Sequence, residues 1–275
     1  MKTGYGFTEF ENISEFRTWL NKQNVKRPVT RLQVHHMYLP DYSCWKTDNA
    51  LRRQNNIKSF HKNTNKWADI AQHFSVFPDG HIVTGRSLNN DPIGIKGWNT
   101  SAICIEIYGN FDKDSMNAAQ KEAVIALYGE LCMKFNLTPS TSTIRPHCWF
   151  TSSGTYLGDY NKSRSAKTCP GTKFMGYGNT KAAFINNFYP AIKNYMSGKT
   201  TTVAPDDTTP TESFTVKIIC DVLNIRSGPG TSYKVVGTVK KNQVFTIIET
   251  KGDWGKLKSG AGWISLGSKY IKKQH

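Results

Sequence analysis

Residues 197–212 read SGKTTTVAPDDTTPTE. Threonine, acidic side chains and two prolines leave nothing there to bury, and so polar a run cannot offset the entropy of ordering it. The stretch is expected to be an extended linker, with whatever folds in this chain folding on either side of it. Residues 1–196 are long enough for a sizeable core, and residues 213–275 suffice for one small module.

In the longer piece, strand patterns alternate with helical ones. ISEFRTWLNKQ sets Phe16, Trp19 and Leu20 on one side of a helix, and RLQVHHMYL alternates like a strand with one face turned to a core. NNIKSFHKNTN is predicted as a helix running into a polar turn, and DIAQHFSVFPDGHIVTGR as a hairpin closed around Pro78-Asp79-Gly80. SAICIEIYG is a strand, Asn117 to Phe135 the longest helical pattern, and TKAAFINNFYPAIKNYM a last helix interrupted near Pro190. Strands interleaved with helices give an α/β fold class, a mixed central sheet flanked by helices. The shorter piece holds β-rich runs, FTVKIICDVLNIRS, VVGTVKKNQVFTIIE and GWISLGSKYI, divided by SGPGTS and KGDW, and predicts a small all-β barrel.

Thirty-six Lys and Arg against 20 Asp and Glu give a net charge of +16, with 11 basic and 3 acidic residues in 213–275. Such a surplus favours polyanions: nucleic acids, anionic lipids or bacterial wall polymers. No basic patch interleaved with aromatics is present, so no specific nucleic acid is expected as a partner. Apolar runs fall well short of the roughly 20 residues that span a bilayer, and no transmembrane segment is expected. MKTGYGFTEFENISEF lacks a basic region followed by an apolar run and a small-residue cleavage site, so no Sec-type leader is expected. Six cysteines, at 44, 104, 132, 148, 169 and 220, show no paired spacing and are read as free thiols, one of them a candidate metal ligand.

Parity sorts the adjacent histidines of RLQVHHMYL. His36 continues the Leu32/Val34 side, His35 emerges with Gln33, and His35 is therefore the site candidate. His147 in IRPHCWF and Cys169 in AKTCPG complete a set of three zinc-ligand types. They lie 112 and 22 residues apart, without zinc-finger spacing, and spacing alone leaves them open to being inert core residues. Isoleucines 103, 105 and 107 share one strand face, which leaves Cys104 and Glu106 on the other; Glu106 is either a salt-bridged surface carboxylate or a functional one. Lys167 shares a side with Cys169 if the segment is extended, and is either solvated or catalytic.

LQVHHMYLP, then GWNTSAICIEIYGNF, then RPH with AKTCPGTKF, in that order, resemble the zinc-dependent N-acetylmuramoyl-L-alanine amidases of the phage lysozyme-like amidase and peptidoglycan recognition protein superfamily, over roughly residues 20–180. The resemblance implies one zinc held by His35, His147 and Cys169, Glu106 as general base, Lys167 as oxyanion stabiliser and His36 as a buried supporting residue. Cys104 is the alternative thiol. Relatives that lack the glutamate carry a tyrosine just before the HF of the central hairpin strand, where this chain has Gln72, so more weight falls on Glu106. LNIRSGPG and the rest of residues 214–273 resemble bacterial SH3 domains, which implies wall contacts through Asn224, Arg226, Tyr233, Trp254 and Trp263, although Trp263 also suits a core.

The expectation is thus a zinc amidase over 1–196, a linker over 197–212 and an SH3-like wall-binding module over 213–275. Its partner would be bacterial peptidoglycan, cleaved between N-acetylmuramic acid and L-alanine. An endolysin of a phage of a Gram-positive host, made in the host cytoplasm and released to the wall through a holin, fits that organisation. A host autolysin and a non-catalytic peptidoglycan receptor are the alternatives, and the sequence sets no oligomeric state.

Overall fold

The computed structural model describes residues 1–45, 49–198, 214–231, 233–251 and 254–274, and the chain divides into two compact units, Met1–Val203 and Ala204–His275. The expected linker lies almost wholly outside the described residues; only Ser197 and Gly198 are seen, closing the last helix of the first unit.

The first unit is built on a seven-stranded sheet of β1 (Lys2–Gly4), β2 (Phe7–Phe10), β3 (Arg31–His36), β4 (Phe74–Val76), β5 (Ile82–Thr84), β6 (Ala102–Ile107) and β7 (Ile144–Pro146), in the order β1-β2-β5-β4-β6-β3-β7. β4, β6, β3 and β7 run parallel, while β1, β2 and β5 are antiparallel additions on one side. The sheet is mixed, as expected. The first ten residues add the antiparallel pair β1 and β2 at the sheet edge.

β3 departs from the one-faced strand that its alternation suggested. Leu32, Gln33 and Val34 are all fully buried, and His35 is 3% exposed. The strand lies between β6 and β7 in the parallel part of the sheet, where both faces are covered. Its two faces differ in kind: Leu32 and Val34 enter the main apolar core, and Gln33 and His35 enter a buried polar layer.

Helices α1 (Ile13–Asn21), α3 (Ala118–Lys134), α4 (Lys181–Ala183) and α5 (Tyr189–Met196) cover the apolar face. Phe16, Leu127, Leu131, Phe184 and Phe188 pack there against Val34 and Ile105. Asn117 caps α3 by accepting from the Gln120 amide, so the helix starts where the pattern placed it. α4 runs through a π turn, Phe184–Phe188, into α5. The helix does not break at Pro190: the hydrogen-bond ladder changes in the π turn just before the proline, whose missing amide proton would otherwise open a gap. α2 (Ala50–Asn63) starts earlier than predicted, because Asn49 caps it and Ala50 and Leu51 are already buried. It packs with Phe7, Ile70, Phe77 and Tyr108 in a second, smaller core.

The second unit has seven antiparallel strands, β8 (Phe214–Ile218), β9 (Val222–Arg226), β10 (Val235–Lys240), β11 (Val244–Lys251), β12 (Trp254–Leu257), β13 (Trp263–Ser265) and β14 (Ile271–Gln274), in the order β10-β9-β13-β12-β11-β8-β14. Every strand sends at least one side chain into a single apolar cluster that includes Val216, Val239, Ile247 and Ile271. A sheet whose two outermost strands share one core must curl around it, which is the small barrel-like module the short runs predicted.

Gln120 links α3 to the parallel strands. Its Nε2 donates to the carbonyls of Val76 and Tyr108, each at 2.9 Å, and the residue is fully buried. Replacing Gln120 by leucine removes both donations and the acceptor of the Tyr42 hydroxyl, while the Val76 carbonyl keeps the Tyr108 amide. A lost buried hydrogen-bond partner typically costs about 1–3 kcal/mol, so Gln120→Leu should lower the unfolding free energy of the first unit by about 1–3 kcal/mol in urea titrations, and a change under about 0.5 kcal/mol would show that the freed groups find other partners.

Candidate metal centre and catalytic cavity

Parallel strands end on one side of a sheet, and ligand sites of such sheets form beyond those ends. Here the register sets one residue from each strand in a lateral row: Ser75 of β4 pairs with Glu106 of β6, Glu106 with His35 of β3, and Val34 with Pro146 of β7, immediately before His147. His147 opens a 3-10 turn, His147–Trp149, so the chain leaves β7 sharply and brings its imidazole back over the strand ends.

Cys169 comes from a loop that several bonds hold in place. Asp112 accepts from Thr168 Oγ1 at 2.6 Å and from the Thr172 amide at 2.8 Å, and Asn179 Nδ2 donates to the Thr168 carbonyl at 2.6 Å. The Cys169 carbonyl accepts from Cys148 N at 2.8 Å, tying the loop to the His147 turn. Gly171 completes the anchor: its φ is +108°, and a Cβ there would meet the Phe111 carbonyl carbon at 2.4 Å.

The three ligand-type residues meet. One donor atom each from His35, His147 and Cys169 lies within 4.8 Å of the others. Cys169 Sγ stands 3.6 Å from His35 Nδ1, the His36 amide donates to the same sulfur at 3.4 Å, and the two imidazole rings lie 5.0 Å apart at 72°. Cys104 is fully buried on the neighbouring strand position and is not part of this cluster. His36 turns away: its Nδ1 accepts from the Phe111 amide at 3.1 Å, a supporting bond for the loop beside the site.

Glu106 flanks the cluster, with Oε1 at 3.9 Å from His35 Nδ1. Its side chain is 20% exposed, yet Oε2 is buried with no hydrogen-bond partner, as is Gln72 Oε1 nearby on the wall of the same cavity. Lys167 lines that cavity too, and its charge acts on His35, His147 and Glu106 alike. The cavity measures about 1030 Å³ and opens from the cluster towards Tyr38, Phe60 and Trp67.

Burial governs the charge states. It pushes His147 down to about 4 and His36 to about 4, and drives His35 below the usual histidine range, with Lys167 adding to all three shifts. The imidazoles are therefore neutral at pH 7, the state in which a ring nitrogen offers a lone pair. The same burial raises Glu106 to about 8, opposed by Lys167, and raises the Cys169 thiol, helped by the nearby Glu106. Two neutral imidazoles and one thiol make a donor set that suits zinc, and the unpaired Glu106 oxygen stands beside them.

In the second unit the five sequence candidates do not behave alike. Asn224 is exposed on β9, Tyr233 is 46% exposed and Trp254 is half-buried. Trp263 is 8% exposed and packed under Lys256, which sits 5.8 Å from its ring centre. The Arg226 guanidinium donates to the carbonyls of Thr231 and Tyr233, each at 2.8 Å, so it ties both back to β9.

Comparison with known proteins matches residues 25–172 to the family model described as N-acetylmuramoyl-L-alanine amidase, and residues 221–272 to the bacterial SH3 domain. Relatives include peptidoglycan-recognition protein 2 of Holotrichia diomphalia, 28% identical over 101 residues that cover 37% of this chain and 53% of that protein. The N-acetylmuramoyl-L-alanine amidase of Sus scrofa is 26% identical over 181 residues, 64% of this chain and 27% of that protein. The chain thus spans about half, or less, of the length of these relatives. Among solved structures, Drosophila PGRP-LB matches with a TM-score of 0.43 at 21% identity, covering 54% of this chain and 78% of that one. The amidase LysC from Clostridium intestinale URNW matches with a TM-score of 0.40 at 24% identity, covering 53% and 78%. Because the family match takes in more than half of the residues, and includes both histidines and the cysteine of the cluster, the chain belongs to the N-acetylmuramoyl-L-alanine amidase family.

Proposed function

We propose that the first unit is a zinc-dependent peptidoglycan amidase that hydrolyses the bond between the lactyl group of N-acetylmuramic acid and L-alanine, and that the second unit tethers it to the bacterial wall. The observation that carries this reading is the meeting of His35, His147 and Cys169 beside Glu106 on the floor of a large open cavity. A non-catalytic peptidoglycan receptor on the same fold would have no need of a buried carboxylate oxygen left unpaired next to three metal-ligand side chains. An endolysin, made in the host cytoplasm and released to the wall, is the biological role we assign; a host autolysin would use the same chemistry.

His35, His147 and Cys169 would hold the metal. Zinc, when bound there, supplies a Lewis acid that acidifies water and polarises the scissile carbonyl. Glu106 supplies the proton path: it stands 3.9 Å from His35 Nδ1 with Oε2 unpaired, and, ionised beside a bound cation, it would take a proton from the attacking water and pass it to the departing amide nitrogen. Lys167 holds a positive charge in the same cavity, where negative charge grows on the carbonyl oxygen. Gln72 stands at the cavity wall with its Nε2 donated to Ser75 Oγ at 2.9 Å, so it offers neither an acid nor a base. Asn224, Tyr233 and Trp254 are the wall-contact candidates of the second unit, and Arg226 and Trp263 serve its folding.

Elemental analysis of the purified chain should find one zinc, with much less in Cys169→Ser. Full zinc in that variant, with loss in Cys104→Ser instead, would refute the ligand set.

Glu106→Gln should retain zinc and lose turnover by about 10²- to 10⁴-fold, the range for a general acid-base group. Lys167→Ala should also keep its metal and lose about 10²- to 10³-fold, as for a lost oxyanion donor. Turnover of Glu106→Gln within about threefold of the parent makes the carboxylate structural.

The tether predicts a split between substrates. Residues 1–198 alone should release new L-alanine amino termini, and no new reducing sugars, from soluble muropeptides as fast as the full chain, while acting more slowly on intact walls. Equal rates on walls would remove the targeting role from the second unit.

A further inference from the structure

The imidazole of His35 is held from behind by hydrogen bonds that start at the backbone and end in the metal cluster. Asn99 accepts from the amides of Gly94 at 2.9 Å and Ile95 at 3.0 Å, and from Gln33 Nε2 at 3.0 Å. Backbone amides only donate, so the Asn99 atom they meet is its oxygen. Gln33 Nε2 also donates to the Trp98 carbonyl at 2.9 Å. Both of these partners only accept, so the amide nitrogen of Gln33 must face them. Its oxygen is then turned towards His35 Nε2, 3.2 Å away. An amide oxygen cannot donate, and His35 must carry its proton on Nε2. The Nδ1 lone pair is left facing Cys169 Sγ at 3.6 Å.

We infer that Gln33 is a positioning residue that fixes His35 in the Nε2–H tautomer and so dictates metal binding through Nδ1, with Asn99 and Gly94 in turn fixing Gln33. Gln33 is fully buried, and its oxygen is the acceptor placed against the ring. Gly94 leaves the room it needs: a Cβ there would lie 1.9 Å from Gln33 Oε1 and 3.0 Å from its Cδ. The loop from Gly94 to Asn99 therefore carries one residue that orients the glutamine and one that makes space for it. The inference rests on the metal-holding role proposed above, but the tautomer is a property of the metal-free chain and is measurable there.

The test uses the full chain with Gln33→Met, Gln33→Glu and Gly94→Ala. Two quantities are read: zinc affinity by competition with a chromophoric chelator, and the His35 tautomer in metal-free protein from long-range imidazole 1H–15N correlations. The parent should show the Nε2–H form. Gln33→Met, similar in size but without an acceptor, should bind zinc about 10- to 100-fold more weakly, the usual cost of losing a hydrogen-bond partner of a metal ligand. Its His35 should show mixed tautomers. Gln33→Glu keeps an acceptor for Nε2–H and should recover most of the affinity and the single tautomer, although it loses both donations to the loop. Gly94→Ala should weaken zinc binding although it changes neither Gln33 nor His35. A purely structural glutamine predicts equal loss in the Met and Glu variants and one tautomer in both, and that result overturns the inference. So does a Gln33→Met variant that keeps the Nε2–H form and binds zinc within about twofold of the parent. If the parent binds no zinc the metal reading fails, and the tautomer spectra still decide the role of Gln33. Should Gln33→Met fail to fold, the Glu and Ala variants carry the comparison.

Discussion

Parallel pairing of β3 with β6, in the register that sets His35 beside Glu106, is the constraint from which the site follows. A slip of one residue would send His35 into the apolar core and Val34 or His36 into the cavity, because side chains alternate with a period of two. What prevents the slip is the difference between the two faces. Leu32, Val34, Ile103 and Ile105 are committed to the helices on one side. Gln33, Cys104, His35 and Glu106 are thereby committed to the other, where the backbone leaves them next to the strand ends.

That second face is buried and polar, which is costly unless each group finds a partner. Most do. Gln33 is satisfied by Trp98, Asn99 and His35, while Ser75 donates to Gln54 Oε1 at 2.7 Å and accepts from Gln72. His73 is fixed by the Cys104 amide and the Asn90 carbonyl. The unsatisfied atoms of this layer, Glu106 Oε2 and Gln72 Oε1, stand at the cavity. A fold that pairs its buried polar groups so thoroughly leaves an acceptor open where a substrate or a water has to donate. The same burial keeps three histidines neutral and raises the Glu106 carboxyl, so one physical cause sets the charge states around the cavity.

Much of this was legible in the sequence, for reasons specific to each element. Strand parity separated His35 from His36, because that depends on nothing beyond the pleat. The hairpin around Pro78-Asp79-Gly80 and the helix from Asn117 carry their signals locally, in turn residues and a cap. The convergence of His147 and Cys169 on His35 is long-range; only family resemblance placed it, since spacings of 112 and 22 residues say nothing about distance. Alternation alone hides the burial of both faces of β3, because Gln33 reads as a surface residue until its loop partners Trp98 and Asn99 are known. The start of α2 is hidden in the sequence, since Arg52 and Arg53 mask a first turn in which Ala50 and Leu51 are buried. The resemblance to bacterial SH3 domains names Arg226 and Trp263 among the contact residues and leaves Trp263 open to the core; the structure adds that the Arg226 guanidinium is bonded to two backbone carbonyls and that Trp263 is buried.

The two units divide the physical work in a way that their charges reflect. In the second, 11 basic residues face 3 acidic ones, and two of those acids are already paired, Asp221 with Lys241 and Glu249 with Lys256. An excess of exposed cations attracts an anionic polymer surface without choosing a bond in it, and at about 0.1 M salt that attraction fades over about 10 Å. In the tethering role proposed for this unit, such attraction would raise the frequency of encounter with a wall and the time spent near it. Under the activity proposed above, choice of the scissile bond would come from groups that touch it, and the cavity groups of the first unit are held by strand register, a glycine-anchored loop and a buried polar layer, none of which depends on long-range charge.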